Sequence, residues 1–377
     1  MNSFDAIVIG LGGMGSATVA ELARRGHRVL GLEQFPLVHS RGSSHGQTRV
    51  IRQAYYEDPA YVPLARRAFE LWHALEAATG RKLLVECGCL NVGTPDSELV
   101  AGIRRAACEH QLPVEELAAA EIANRFPAMH FPDEMLGVLE HRAGFLFVEE
   151  CVRAHCDEAV RHGAELHADE PVLNWTANGT GVEVRTAKGT YRADKLAITA
   201  GSWATHLLED LGIPLSVMRQ VQLWFGSTRP ELVTKDRMPM YLAQTPLGHF
   251  YGIPAIAPWG QKTARHYGAP ELASPDRVDW TVSDADETPV REFLRTYLPG
   301  VDGPRTHAQV CQYTLTPDRH FVIDVHPQYP QVCVAAGFSG HGFKFAPVVG
   351  EILADFAERG GTRFAVELFR ASRFGVR

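Results

Sequence analysis

The sequence lacks the features that define several large classes of protein. No stretch reaches the roughly 18 consecutive apolar residues of a membrane span, so we expect no membrane insertion. Its 37 lysines and arginines are outnumbered by 44 aspartates and glutamates, and the formal net charge is -7. Without an excess of positive charge, the usual electrostatic basis for binding nucleic acid is missing. The chain also has no internal repeat and no low-complexity tract.

Cysteine is scarce and irregularly placed in this chain. Seven cysteines in 377 residues are odd in number and scattered, which argues against a secreted disulfide framework and favours a reducing, cytoplasmic location. The first residues run directly into an apolar segment without a basic n-region, so we expect no signal peptide. Cys87 and Cys89 lack the usual zinc spacing and there is no His-Glu-x-x-His helix, so we expect no metal site.

What the chain does contain is the patterning of an α/β (α+β) protein with a large core. Apolar residues make up 45% of the chain and charged residues 21%, as in ordinary globular proteins. An apolar run at 6–9, a helical pattern after it and a second strand at 28–33 predict a strand-helix-strand unit. Between about 214 and 317 prolines are frequent and alternating stretches predict an antiparallel sheet, which indicates a second domain.

Further elements follow from periodicity. Apolar residues at helical spacing predict helices that include Leu64, Val152 and Val290, and a long final helix after residue 344. Two Gly-containing turns between Val172 and Thr199 predict three antiparallel strands. A buried strand is predicted at 332–336. Because the final segment returns to the first pattern, we expect the two domains to interleave along the chain.

The first strand leads directly into a glycine-rich loop of the G-x-G-x-x-G type. Gly10 allows a tight turn, Gly12 allows a pyrophosphate to approach bare backbone, and Gly15 allows close packing of helix on strand. The helix N-terminus then carries partial positive charge towards the phosphates. Glu33 follows at the end of the second strand and suits a ribose 2′-hydroxyl, since a 2′-phosphate would be repelled. This predicts a dinucleotide site for NAD or FAD.

Two later turns favour FAD over NAD. The first is a small-residue turn after a strand, with Gly201 and Trp203, of the kind that two-dinucleotide flavoproteins place beside their cofactor; an ordinary strand-to-helix turn is the alternative. The second is Gly337-Phe-Ser-Gly340-His-Gly342, which opens the final helix. Its free N–H groups and helix dipole suit the electron-rich pyrimidine edge of a flavin, where negative charge gathers on reduction.

Nearly the whole chain resembles the monomeric sarcosine oxidase and N-methyltryptophan oxidase family of flavoprotein amine oxidases. The matching segments are the glycine loop, Gly42-Ser-Ser-His45-Gly-Gln-Thr-Arg49-Val-Ile-Arg52, Tyr251-Gly-Ile-Pro254, Lys262 with His266, Cys311-Gln-Tyr313-Thr and Gly337-Phe-Ser-Gly-His-Gly-Phe-Lys344-Phe. The resemblance implies a two-domain FAD-dependent oxidoreductase. Its Rossmann-like FAD-binding domain is expected at 1–80, 145–213 and 311–377, and its antiparallel-sheet substrate domain at 81–144 and 214–310.

The resemblance also implies how the cofactor is held. FAD is attached through its 8α-methyl group to a cysteine in this family, and Cys311 occupies that position; a buried, unreactive cysteine is the alternative. Arg49 is expected to be a cation near the reduced flavin ring. The full set of expected cofactor contacts is Gly10, Gly12, Gly13, Met14, Gly15, Glu33, Ser43, Arg49, Gly201, Trp203, Cys311, Gly337, Gly340, Gly342 and Lys344.

The remaining matched positions imply a substrate site. Arg52 and Lys344 match the pair that binds the substrate carboxylate, a task suited to a guanidinium fork and an ammonium. Lys262 matches the lysine that activates dioxygen, since a fixed positive charge stabilises superoxide in a dry site. Four further residues match positions around the substrate amine. They are His45, Tyr251, His266 and Tyr313, and no general base can be assigned among them.

The chain departs from its relatives near the site. Ser44 stands where they often have histidine, and Gln47 where they often have aspartate, which predicts rearranged contacts around the flavin. Arg265, between Lys262 and His266, either favours a second substrate carboxylate or lies in solvent. The substrate is therefore the most open question.

The function that the resemblance implies is oxidation of an N-methyl amino acid by dioxygen, in a monomer that binds neither nucleic acid nor a membrane. Sarcosine is the first candidate substrate, followed by N-methyltryptophan and a cyclic imino acid. The products would be formaldehyde, the demethylated amino acid and hydrogen peroxide. Two alternatives stay open: a flavin dehydrogenase that passes electrons to a carrier protein, and a non-catalytic flavin-binding subunit of a complex.

Overall fold

The computed structural model describes residues 3–375, without the side chain of Asn178. The strands are β1 Ser3–Ile9, β2 Val29–Leu32, β3 Thr48–Ile51, β4 Leu84–Glu86, β5 Cys89–Gly93, β6 Val114–Ala118, β7 Leu136–Glu140, β8 Gly144–Phe147, β9 Glu165–His167, β10 Val172–Asn178, β11 Gly181–Thr186, β12 Thr190–Ile198, β13 Ser216–Phe225, β14 Met240–Thr245, β15 Gly248–Ile256, β16 Gly260–Arg265, β17 Glu271–Leu272, β18 Arg305–Leu315, β19 Val322–Val325 and β20 Val332–Ala336.

The helices alternate with these strands, and most of them pack on a sheet. They are α1 Gly13–Arg24, α2 Tyr61–Thr79, α3 Glu98–His110, α4 Ala119–Arg125, α5 Val148–Arg161, α6 Ala204–Leu207, α7 Asp284–Tyr297 and α8 Ala346–Arg359. A short 3-10 helix, Phe343–Phe345, precedes α8. The predicted helices therefore exist, and the final one begins one residue after the predicted Phe345 because a 3-10 turn comes first.

The first sheet confirms the predicted strand-helix-strand unit. β1 pairs with β2 and β12 in parallel, β2 pairs with β9, and β12 pairs with β20, so the centre of this sheet is parallel. β10, β11 and the first half of β12 form the predicted antiparallel strands. The second half of β12 differs, because it continues between β1 and β20 in parallel register and so joins the buried centre of the sheet.

Three helices cover one face of this sheet. α1 packs between α5 and α8, and its apolar side chains are buried in the largest core cluster of the chain. The approach of α8 is close: a Cβ at Gly350 would stand 2.7 Å from the backbone carbon of Ala17. This packing fixes the start of α1, and therefore the glycine loop, against the ends of β1 and β12.

The second sheet confirms the predicted antiparallel sheet in the middle of the chain. Its strands run in the order β17-β13-β16-β15-β14-β5-β7-β6, with β18 on β13. One pair, β14 with β5, is parallel. α7 packs on one face, where Phe293 stacks on Phe250 with ring centroids 4.2 Å apart. The predicted domain boundary at residue 311 falls inside β18, which is one continuous strand, and the domain limits stay a prediction.

A small third sheet, β3-β8-β4, has strands that alternate along the chain with those of the second sheet and carries residues of the site. β3 holds the segment from Thr48 to Ile51. No helix in residues 3–375 is both long and apolar enough to cross a membrane. The seven cysteines are free thiols, and the described side chains form no group of three or more that could hold a metal ion.

Candidate active site

A long cleft lies over the start of α1 and is shaped by glycine. Gly10 has φ +86°, a conformation that disfavours side chains, and a Cβ at Gly15 would stand 1.7 Å from the carbonyl oxygen of Gly10. Gly12 differs, since a Cβ there would meet only Ser44 Oγ, at 3.5 Å. Gly15 therefore serves helix-strand packing, while Gly12 leaves open space in the cleft.

Glu33 directly follows β2 and lines this part of the cleft. Its carboxylate accepts hydrogen bonds from the N–H of Leu11, at 2.8 Å, and of Phe35, at 3.1 Å. It is 5% exposed and lines the cleft. Each carboxylate oxygen can accept more than one hydrogen bond, so Glu33 retains capacity for a ribose hydroxyl.

A second glycine turn, after β20, faces the same cleft. Gly337 and Gly340 have φ +62° and +84°, and a Cβ at Gly340 would stand 2.4 Å from the ring of Tyr313. The N–H of Ser339 donates to Thr314 O at 2.8 Å. The turn therefore needs glycine both for its backbone and for the tyrosine packed on it.

These residues fit FAD. Ser202 Oγ and both side-chain polar atoms of Gln312 are buried and have no hydrogen-bond partner in the described part of the chain, and both residues line the cleft. Buried polar groups are rarely left unpaired, so a polar ligand is expected there. Of the predicted cofactor contacts, the cleft is lined by Gly10, Gly12, Gly13, Met14, Glu33, Ser43, Arg49, Gly201, Trp203, Gly337, Gly340 and Gly342.

A second, smaller cavity adjoins the first and contains most of the predicted substrate residues. Arg49, Tyr313, Gly340 and Phe343 line both cavities. The predicted residues in the second cavity are Arg49, Arg52, Tyr251, His266, Cys311, Tyr313 and Lys344. Cys311 and Lys344, predicted as cofactor contacts, thus lie on this side, while Gly15 is buried behind the glycine loop.

Arg52 is buried and already paired. Its guanidinium donates to both carboxylate oxygens of Glu57, at 2.9 and 2.7 Å, and to Ala54 O at 2.6 Å. The ring of Tyr55 lies beneath it, 4.1 Å from the guanidinium carbon to the ring centroid. Burial opposes ionisation of Glu57, yet Arg52 lowers the pKa of that carboxyl to about 2. A substrate carboxylate at Arg52 must therefore share or replace Glu57.

Lys344 lies beside Arg52 with a different set of partners. Its Nζ donates to His341 O at 2.5 Å and to the hydroxyl of Tyr55 at 3.3 Å. Burial, with repulsion from Arg52 as the next cause, lowers the pKa of Lys344 to about 7. Lys344 is only 4% exposed, so a carboxylate beside it would stabilise the buried positive charge.

Three neutral side chains complete the second cavity. His266 Nδ1 lies 3.1 Å from the hydroxyl of Tyr313, and the ring of Tyr251 is perpendicular to that of His266. Burial lowers the pKa of His266 to about 3 and raises that of Tyr251 to about 12. At neutral pH these groups offer hydrogen bonds without charge.

Cys311 and Arg49 lie together at the junction of the cavities. Arg49 Nη2 is 3.5 Å from Cys311 Sγ and 2.6 Å from Ser43 O, which it contacts as a donor. Its Nη1 donates to Gln222 Oε1 at 3.0 Å. Cys311 comes from β18, far along the chain from Arg49 on β3. The chain fold thus brings the Cys311 thiol beside a guanidinium at this junction.

Lys262 and His45 are buried nearby but do not line either cavity. Lys262 Nζ donates to Gly46 O at 2.9 Å and Thr48 O at 3.0 Å, and stands 4.9 Å from the ring centroid of Trp224. Burial and then Arg49 lower the pKa of Lys262 well below its usual value, while the carbonyls and the ring favour the ammonium. Burial lowers the pKa of His45 to about 3, so this imidazole is neutral.

The departures from the relatives have structural counterparts. Ser44 Oγ accepts from the N–H of Gly13 at 3.0 Å, which fixes the loop to α1. Gln47 Nε2 donates to Ala257 O, and its Oε1 accepts from Trp224 Nε1 at 3.2 Å. Arg265 packs near Gly248 and Gly268 and lines neither cavity, so it gives no support to a second carboxylate site.

Sequence reasoning missed Glu57, Tyr55 and His341. Glu57 follows Arg52 by five residues in a loop, where no spacing rule indicates that two side chains meet. His341 lies in the glycine-rich turn after β20 that the sequence predicts to face the flavin. Its position between Gly340 and Gly342 was therefore the one sequence signal for a role in the site. No pattern in the sequence indicated Tyr55, because its hydroxyl meets His341 and Lys344 near the far end of the chain.

Comparisons with known proteins agree with this geometry. The family described as FAD dependent oxidoreductase matches residues 5–356. The monomeric sarcosine oxidase of Streptomyces avermitilis is 45% identical, with 99% of this chain and 98% of that protein aligned. The N-methyl-L-tryptophan oxidase of Salmonella typhi is 36% identical, with 98% and 99% aligned. The structure of NikD, an unusual amino acid oxidase essential for nikkomycin biosynthesis, superposes with a TM-score of 0.87 at 27% identity, covering 98% of each chain.

Proposed function

This chain belongs to the FAD dependent oxidoreductase family, and from that premise we propose that it oxidises small N-methyl amino acids with dioxygen. For sarcosine, the substrate, one water and one dioxygen give glycine, formaldehyde and hydrogen peroxide. The N-methyl carbon loses two electrons and dioxygen gains them. FAD supplies the electron transfer between the two. The nearly full-length similarity to sarcosine and N-methyl-L-tryptophan oxidases supports this proposal.

One observation carries the proposal: two buried cations, Arg52 and Lys344, face the same small cavity, with no more than Glu57 as a carboxylate among its lining residues. An amino-acid carboxylate would balance this charge and be held at two points. Tyr251, His266 and Tyr313 would then enclose the amine and its methyl group in a desolvated space. Since these groups are neutral, they would favour a neutral amine, the form that can give up a hydride equivalent.

Lys262 favours an oxidase over a dehydrogenase. It is 1% exposed, and in its protonated form it would provide a buried positive charge that stabilises superoxide as it forms from dioxygen. A protein that hands its electrons to a carrier needs no such charge in its interior. The third possibility, a flavin-binding subunit without turnover, leaves Arg52 and Lys344 without a purpose.

A single preparation tests the proposal. Anaerobic addition of sarcosine should bleach the flavin absorbance, and admission of air should restore it with one hydrogen peroxide and one formaldehyde per turnover. Bleaching without peroxide in air would identify a dehydrogenase. Absence of bleaching by any of a panel of N-methyl amino acids would refute the catalytic proposal.

We also propose that Cys311 carries the covalent flavin link. The thiol lines the second cavity at its junction with the cleft, and Arg49 Nη2 stands 3.5 Å from its Sγ. Peptic digestion and mass measurement should find FAD on the peptide that contains Cys311, and Cys311→Ser should release its flavin on acid precipitation. Cys333→Ser is the matched control, since that thiol is buried on β20. Wild-type flavin released by acid would contradict the link.

We propose finally that the protein acts as a monomer in the cytoplasm. Its seven cysteines are free thiols, which suits a reducing compartment, and the S. avermitilis relative is named a monomeric enzyme. Light scattering after gel filtration should give a mass near 41.5 kDa. A mass near twice that value would contradict a monomer.

A further inference from the structure

We infer that Tyr55, fixed by His341, positions both carboxylate-binding cations of the second cavity. This inference rests on the proposed function, because it concerns the site at which the substrate carboxylate would bind. Tyr55 lies in the loop after β3 and is fully buried. It is placed between Arg52 and Lys344 and contacts each of them through a different part of its side chain.

The ring of Tyr55 packs against the guanidinium of Arg52. The guanidinium carbon stands 4.1 Å from the ring centroid, closer than to the neighbouring ring of Tyr56, at 5.0 Å. Contact between a guanidinium and a ring face orients the plane of the guanidinium as well as stabilising its charge. The direction in which Arg52 presents its N–H groups therefore depends on this ring.

The hydroxyl of Tyr55 accepts a hydrogen bond from Lys344, and a hydrogen bond to His341 sets the orientation of this hydroxyl. His341 Nε2 lies 3.1 Å from Arg319 O, and since a carbonyl only accepts, the proton is on Nε2. The neutral ring, whose pKa burial lowers to about 4, must then accept at Nδ1, 2.6 Å from the Tyr55 hydroxyl. The single proton of the hydroxyl is directed to Nδ1 rather than to His341 O, which lies farther away at 3.1 Å, so the oxygen is free to accept from Lys344 Nζ at 3.3 Å.

The consequence is a directed chain of hydrogen bonds that runs from Lys344 through Tyr55 and His341 to Arg319 O. A buried ammonium needs acceptors to remain charged, and Lys344 has two from the protein, the Tyr55 hydroxyl and His341 O. Both come from Tyr55 or His341. A third N–H of the ammonium remains available for a substrate oxygen.

Tyr61 provides a matched control for a merely structural role. It is fully buried, and its ring stacks on that of Tyr55 with centroids 4.6 Å apart. Its hydroxyl meets His320 Nδ1 at 3.1 Å and contacts neither cation. Removing this hydroxyl disturbs the same aromatic stack without touching the hydrogen-bond chain.

The experiment measures the Kd of acetate, a simple carboxylate, on the flavin-loaded enzyme by calorimetry and by flavin difference absorbance, and KM and kcat for sarcosine in parallel. Tyr55→Phe should raise the Kd of acetate and the KM about tenfold, the scale of one hydrogen bond to a charged group, with kcat changed less. In a Lys344→Met background the same change should have less than about a twofold effect, since its partner is gone.

Tyr55→Leu separates the ring from the hydroxyl. It should weaken acetate binding further than Tyr55→Phe, and the additional loss should persist in the Lys344→Met background because it acts through Arg52. His341→Gln should follow Tyr55→Phe in direction. Tyr61→Phe should leave the Kd of acetate and the flavin content as in the wild type.

Two results would overturn the inference: an unchanged Kd of acetate in Tyr55→Phe, or an equal rise in the wild-type and Lys344→Met backgrounds. Acetate that does not bind the wild type would overturn it as well. Failure of the proposed function is a separate result, namely no turnover of N-methyl amino acids in a protein whose acetate binding still follows the double-variant cycle.

Discussion

The two cavities of this protein are built by different means. The cofactor cleft is shaped by glycine at the turns that follow β1 and β20, and its lining includes two acidic residues, Glu33 and Glu170. The second cavity is formed by charged and aromatic side chains from β3, β15, β18 and the turn before α8. A glycine in a tight turn can rarely be replaced by a residue with a side chain, whereas charged residues in the second cavity can be replaced one at a time.

The difference predicts how each region fails. A substitution in the cleft removes the cofactor altogether, because space is lost. A substitution in the second cavity changes one step of the reaction and leaves the cofactor in place. Substitutions in the two regions test this contrast.

Gly12→Val should abolish FAD binding while the chain still folds. The new side chain would project into the open cleft, where only Ser44 Oγ lies near the Cβ position, and the backbone at Gly12 has φ -70°, which valine adopts. The measurement is flavin absorbance per protein together with a thermal melt.

Gly15→Ala is the contrasting control for that prediction. Its Cβ would overlap the carbonyl oxygen of Gly10 at 1.7 Å, so we expect loss of folded protein. If Gly12→Val retained a full complement of flavin, the cleft would not be the cofactor site.

Lys262→Met should slow the reaction of reduced enzyme with dioxygen by about 10³-fold, the effect of removing a charge that stabilises a developing anion. Anaerobic reduction by sarcosine should change far less. Stopped-flow measurement of the two half-reactions checks this. Lys235→Met, the same change at an exposed lysine, should leave both half-reactions as they are, and equal reoxidation in Lys262→Met would remove its proposed role.

Arg52→Met should raise the KM for sarcosine about 100-fold, since a bidentate pairing with the carboxylate is lost, and leave flavin content unchanged. The variant also leaves Glu57 without its main partner. Arg52→Met with Glu57→Gln removes that charge, so a KM defect that persists in the double variant belongs to Arg52. Arg66→Met on the exposed face of α2 is the surface control, and an unchanged KM in Arg52→Met would contradict its role.

The affinity for acetate should fall as the pH rises through about 7, because Lys344 then loses its proton. Other groups that face Lys344 keep their charge state between pH 6 and 9: Glu57 has a pKa of about 2, His341 one of about 4, and burial raises the pKa of Tyr55 and Cys89. Arg52 stays charged. We expect a rise in Kd of about tenfold over this range, measured by titration, and a flat profile in Lys344→Met.

Local patterns in the sequence were enough for the main elements of the fold. β1, α1 and β2 follow from an apolar run, a glycine loop and a helical period within about 30 residues. Where sequence reasoning was incomplete, the missing information was long-range. The sequence predicts β12 as the last of three antiparallel strands. Its second half instead pairs in parallel with β1 and β20, which lie far from it in the chain.

The same distinction applies to the site. Arg52 and Lys344 were predicted from matched motifs, and the structure finds both buried in one cavity. The partners that define their electrostatics, Glu57 and Tyr55, had no pattern to indicate them. Glu57 lies in a loop five positions after Arg52, and the Tyr55 hydroxyl meets Lys344, 289 positions later in the chain. Neither contact produces a periodic pattern in the sequence.

The sequence by itself determined the dinucleotide cleft, because a glycine loop, a helix start and a distal carboxylate are set by local backbone sterics and spacing. Only the tertiary structure decided which charges meet in the second cavity. Arg52 follows β3, whereas Lys344 lies in the turn before α8, and their meeting depends on how these elements pack. Burial in the folded protein then lowers the pKa of Lys344, an effect that its position in the sequence does not reveal.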